Sequence, residues 1–71
     1  MRRVQVKPAP RDTFKAAFVD GPREHEDYLL FGSGFTPHQA LAVFFENVDT
    51  AILDGGFQCG NIISVEIIGG E

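Results

Sequence analysis

The hydrophobic and polar positions of the chain switch between a period of two and a period near 3.6, and each switch marks an element. In Arg2–Lys7, Val4 and Val6 alternate with Arg3, Gln5 and Lys7. That alternation predicts a short, half-buried strand, and Pro8 and Pro10 end it, which places it at a sheet edge. Its basic outward side suits an edge as well. Thr13–Val19 alternates again, with Phe14, Ala16 and Phe18 on one side and Thr13, Lys15, Ala17 and Val19 on the other. Asp20-Gly21-Pro22 is turn chemistry, and a charged loop runs on through Arg23-Glu24-His25-Glu26. Asp27–Phe31 carries apolar residues on both sides, Tyr28 and Leu30 opposite Leu29 and Phe31, which predicts a central strand covered on both faces.

Gly32-Ser33-Gly34 then reads as a turn into the one segment whose start, period and stop agree. Thr36 can cap a helix, Pro37 takes its first position and Gln39 closes a Thr-x-x-Gln capping box. Gly55 and Gly56 follow Asp54 as a stop. The expected helix is Pro37–Asp54, about 27 Å long. With about 100° per residue, Leu41, Phe44, Phe45, Val48, Ala51 and Ile52 fall within an arc of about 120°, the stripe that meets a core. Val43 and Leu53 lie outside it. Phe57–Asn61 is a loop, Ile62–Ile68 the last strand, and residues 69–71 a flexible tail.

The chain is therefore expected to be a single α+β domain over residues 1–71: a small three- or four-stranded, largely antiparallel sheet with one helix packed on one face. The order is β-β-β-α-β, or β-β-α-β if residues 1–12 are only a basic arm. A sheet with two apolar faces and one helix leaves a face uncovered, which predicts a homodimer or a docking surface for another protein.

Composition changes this picture in three places. A domain of 71 residues buries only about 60% of its unfolded surface, so packing or self-association must supply its stability. The single cysteine, Cys59, excludes an internal disulfide. No apolar run of seven or more follows the basic start Met1-Arg2-Arg3, and none approaches the roughly 20 residues of a membrane span. The expectation is a cytoplasmic protein without membrane contact.

Charge is divided along the chain. All six basic residues lie in the first 23 positions against only Asp12 and Asp20, so that segment is +4. The remainder holds eight carboxylates and no Lys or Arg, and is −8. The acidic side chains Glu24, Glu26, Asp27, Glu46, Asp49 and Asp54 offer a surface for a basic partner protein. Arg2, Arg3, Lys7 and Arg11 offer the alternative of a nucleic-acid contact, opposed by the acidic remainder.

Candidate chemistry is sparse. Gly32-Ser33-Gly34 before a helix invites comparison with a phosphate-binding turn, but Pro37 stands where the fingerprint needs glycine and no P-loop lysine follows. His25, His38 and Cys59, with Glu24, Glu26 and Asp27, contain the atoms for metal binding or cysteine catalysis without the spacing for either. No catalytic residue, metal or cofactor is expected. Gly34–Leu41, GFTPHQAL, resembles the strand-to-helix junction of HicB-like antitoxin domains. That resemblance implies an RNase-H-like fold that binds a toxin and often DNA. The end, Asn61–Gly70, resembles the terminal strand and Gly-Gly of ubiquitin-like sulphur carriers, with Glu71 as an extra residue. The expected function is that of a non-catalytic protein-interaction module. An antitoxin-type regulator and a sulphur carrier are the alternatives.

Overall fold

A computed structural model describes residues 2–69. The elements are β1 (Arg2–Ala9), β2 (Thr13–Phe18), a two-residue hairpin of β3 (Glu24–His25) and β4 (Tyr28–Leu29), β5 (Phe31–Gly34), α1 (Pro37–Gly55) and β6 (Ile62–Ile67). Four strands form one sheet in the order β5-β2-β1-β6, and β3 pairs only with β4. β1–β2 and β2–β5 are antiparallel, whereas β6 returns parallel to β1. The helix carries the chain from one edge of the sheet to the other and packs on one face. The α+β class and the single helix on a mostly antiparallel sheet are as the sequence predicts.

The helix is local chemistry realised. Thr36 is extended and its Oγ1 accepts from the Gln39 N–H at 3.0 Å. Gln39 Oε1 reaches back to accept from the Phe35 N–H at 2.7 Å, so the box closes one residue earlier than the usual pattern. At the far end Gly56 takes φ 70°, and the Phe57 N–H reaches the Ala51 carbonyl at 3.1 Å. A left-handed glycine followed by a buried apolar residue is how many helices stop. Phe57 is that residue.

Four expectations need correction. β1 is not an edge strand but lies between β2 and β6. Its proline, Pro8, is tolerated because pairing with β6 ends at Val6, where the Ile68 N–H meets the Val6 carbonyl at 2.8 Å. Backbone direction alternates along a strand, so the nitrogen of Pro8 points the same way as that carbonyl, beyond the end of β6.

The expected central strand Asp27–Phe31 is divided instead. Tyr28–Leu29 belongs to the hairpin, Leu30 is fully buried between the two, and Phe31–Gly34 is the sheet edge β5. Gly32-Ser33-Gly34 is accordingly strand, not turn, and neither glycine has positive φ. They are needed for close approach. A Cβ on Gly32 would stand 2.2 Å from the Phe44 backbone nitrogen and 2.6 Å from the Ala40 carbonyl oxygen, and one on Gly34 would stand 2.7 Å from Gln39 Cγ. The helix backbone rests directly on β5.

That contact rotates the helix relative to its apolar stripe. The fully buried side is Ala40, Phe44, Val48 and Ala51, while Phe45 and Ile52 are exposed. Asn47, on the β5 side, donates from Nδ2 to the Phe31 carbonyl at 2.7 Å. The core is closed by Val4, Val6, Ala16, Phe18, Leu30 and Phe57, with the Phe18 and Phe44 rings edge to face at 5.0 Å.

The fourth correction concerns the open face of the sheet, opposite the helix. It is largely polar, because it carries Arg3, Gln5 and Lys7 of β1, Thr13 and Lys15 of β2, Ser33 of β5 and Ser64 and Glu66 of β6, with Ala9, Ala17 and Phe31 the apolar members. The premise of a second apolar face therefore fails. Uncovered apolar surface does exist, on the helix side and at β6. The expected tail extends over Gly70 and Glu71, which lie outside the described residues.

Candidate functional site

Three surfaces hold the candidate residues. The first is β6 and the flank of the helix above it. α1 lies over β5 and β2, and β6 receives almost no cover from it. Ile63, Val65 and Ile67 keep 57, 44 and 43% exposure in consequence. On the helical wheel Asn47 and Val43 point to the β5 side, so Leu41, Phe45 and Ile52 lie on the opposite flank of the helix, the one turned toward β1 and β6. Phe45 and Ile52 are exposed there, and Leu53 is 82% exposed on the outer surface. The outer edge of β6 has no strand beside it among the described residues.

The second surface is acidic and divided. Glu24, Glu26 and Asp27 sit on the β3–β4 hairpin, which is tied to the C-terminal end of α1. His25 Nε2 lies 2.8 Å from the Gly55 carbonyl oxygen. A carbonyl only accepts, so Nε2 carries the proton. The imidazole also packs on Phe57 at 5.3 Å between centroids, which makes His25 half-buried rather than a surface histidine. The hairpin thereby brings its three carboxylates to the helix end that carries Asp54, while Glu46 and Asp49 remain on the exposed side of α1 beside Phe45 and Ile52. The sequence gives no sign of this division of the six acidic candidates, because the hairpin turns on Glu26 at φ 54° and not on a glycine.

The third surface is basic. The structure separates the four candidate nucleic-acid residues. Arg2 points to the helix side, its guanidinium over Phe18 and Phe57 at 5.2 and 5.3 Å and its Nε donating to the Cys59 carbonyl at 2.9 Å. It is a packing residue. Arg3 lies on the open face, paired with Asp20 at 2.9 Å. The hydrogen bond to Asp20, and then its charge, hold the Arg3 pKa above the ordinary value. A raised basic pKa stabilises fully below its unfolded value and is lost only as pH rises through the folded one, so this pair is insensitive to pH near neutrality.

Lys7 faces the open side and Arg11 the β1–β2 turn, at φ 66°. Lys15 and Arg23, missed as candidates, join Lys7 around a concavity of about 290 Å³. The alternation of the two strands carried a signal for Lys15, but only the register reveals that Lys7 and Lys15 are directly opposite.

Chemical machinery is thin. Cys59 is a free, half-buried thiol packed against the core. Among the described residues no three His, Cys, Asp or Glu side chains gather as a metal cage, and no helix is long and apolar enough to cross a membrane. The junction Gly34–Leu41 is a true strand-to-helix junction, the context in which it resembles an antitoxin domain. No strand lies between α1 and β6 among the described residues, which departs from the β-grasp that a sulphur carrier needs. Comparison with protein-family models, with curated proteins and with solved structures finds no match.

Proposed function

We propose that the chain is a small, non-catalytic protein-interaction module whose first partner is a second copy of itself, met along β6. The observation that carries this reading is the character of that edge. Four of its residues, Ile62, Ile63, Val65 and Ile67, are apolar, and it contains no Lys or Pro. Natural sheets blunt an exposed edge with charge, proline or cover, because its unpaired N–H and C=O groups template another strand. The one charge, Glu66, is turned onto the open face, where it accepts from Gln5 Nε2 at 2.9 Å. Two such edges laid antiparallel form a closed two-fold pair, and the overhanging Phe45 and Ile52 add apolar area beside it.

The acidic rim of α1, Glu46 and Asp49, and the acidic end formed by Glu24, Glu26, Asp27 and Asp54 suit a basic surface on a further protein. The antitoxin-type alternative draws less support, since Arg2 is committed to the core and Arg3 to Asp20. The sulphur-carrier alternative depends on Gly70 and Glu71, outside the described residues.

Sedimentation across a concentration series tests the proposal. The mass should rise from the 7.8 kDa of one chain toward twice that value. Ile67→Lys should hold it at one chain while leaving the circular dichroism unchanged. A single-chain mass at every concentration would remove the self-association.

A further inference from the structure

The open face of the sheet carries a charge arrangement that packing does not explain. Lys7 and Lys15 are directly opposed across β1 and β2. Like charges in that position repel, whereas a carboxylate opposite either lysine would be stabilising. Arg23 reaches the same concavity from the loop after β2, and the rest of the lining is Gln5, Pro8, Ala9, Pro10, Ala17, Phe18 and Val19. No carboxylate lines it among the described residues, in a chain of net charge −4. Lys15 instead rests its ammonium over the Phe31 ring at 4.3 Å, a contact that accommodates the charge without neutralising it. Among the described residues Lys7, Lys15 and Arg23 make no ion pair, in contrast to Arg3.

We infer that this concavity binds the phosphoryl group of a small anionic ligand. Its volume is close to the lower end for small-molecule sites, roughly 300 Å³. Two lysines and one arginine line it. Once the Lys15 ammonium swings from the Phe31 ring, the three match a phosphate dianion by number and by hydrogen-bond donors, and such charge-assisted bonds are the strong ones. A nucleic-acid strand fits less well. Its successive phosphates would extend beyond the three cations toward Glu66 and the acidic remainder, and repulsion acts over a Debye length of about 8 Å at physiological salt. A single phosphoryl group feels mainly the local cations. The site lies on the face opposite the helix, so it stands whether or not β6 pairs.

Titration of the 15N-labelled chain at constant ionic strength tests this, with sodium phosphate and glycerol 3-phosphate as probes, each carried to tens of millimolar. Either probe should give saturable shifts at the amides of Gln5, Lys7, Lys15, Ala17 and Arg23. A phosphomonoester that saturates earlier identifies an organic phosphate as the ligand, and equal saturation identifies inorganic phosphate. Replacing Lys7→Gln and Lys15→Gln together should weaken binding about tenfold or more. The same variant without ligand should keep the wild-type circular dichroism and a cooperative melt, since the lost like-charge repulsion offsets the lost contact with Phe31; this separates lost binding from lost fold. No saturable shift, or shifts that persist in the double variant, would overturn the inference. An oligothymidine that moves the same amides at lower concentration than either small probe would overturn it in favour of a nucleic-acid strand.

Discussion

The two edges of the sheet are built by opposite means. β5, Phe31-Gly32-Ser33-Gly34, has little intrinsic preference for a strand, yet Gly32 is buried and the helix lies against it with no room for one more carbon. β6, Ile62-Ile63-Ser64-Val65-Glu66-Ile67, has the β-branched composition that strands favour, yet only Ile62 packs against the core. Strand propensity and burial are therefore inverted across the sheet. The helix chooses the edge where its backbone can come close, and that choice leaves the most apolar strand bare. In a domain this small a helix covers only part of one face. Where it settles decides which surface is left for a partner.

The strongest way to break the β5 half of this contrast is Gly32→Ala. The atom it would strike is helix backbone, which has no rotamer to escape into. We expect a loss of about 3 kcal/mol or more, a large share of the total for a domain of this length, and no cooperative urea transition at full population of the native state. Phe44→Ala, which empties the core beneath the same helix, should cost about 3–5 kcal/mol in the same measurement.

His25→Ala removes the bond to the Gly55 carbonyl and the packing on Phe57. It should lower stability by about 1–2 kcal/mol and speed amide exchange in the β3–β4 hairpin before the rest of the chain. At the other edge Ile67→Lys should change the stability of the single chain by no more than about 1 kcal/mol, because the side chain lies outside the core at 43% exposure. An Ile67→Lys effect comparable to that of Phe44→Ala would abolish the contrast.

Much of the fold was legible because it is written locally. Thr36, Pro37, Gln39 and Gly56 signal a helix through neighbours within four residues, and the alternations of Arg2–Lys7 and Thr13–Phe18 hold in the structure. The errors arose where a distant segment decides. β1 becomes central only because β6, some sixty positions later, pairs beside it. A glycine required for φ above zero and one required for close approach are the same letter, and Gly32 is the second kind. The β3–β4 hairpin turns on Glu26 in a left-handed conformation, which no Asn-Gly or Asp-Gly pattern announces.

The candidate surfaces were legible in composition and illegible in grouping. The sequence separates basic from acidic residues, but Arg2 and Arg3, adjacent in the chain, point to opposite faces, as strand geometry demands. Lys7 and Lys15 meet only through the register of two strands. Half of the basic set named from sequence, Arg2 and Arg3, is thus held in place by Phe18, Phe57 and Asp20, while Lys7 meets Lys15 and Arg23 around the concavity of the open face.

Amide hydrogen exchange at β6 tests the edge most directly. The Ile68 N–H points inward to Val6, so by alternation the N–H groups of Val65 and Ile67 point out of the sheet. Edge pairing predicts that these two amides become protected as the protein is concentrated, and that the protection disappears in Ile67→Lys. Rapid exchange at Val65 and Ile67 at all concentrations, with Ile68 protected throughout, would show the edge open to water and would contradict the proposal.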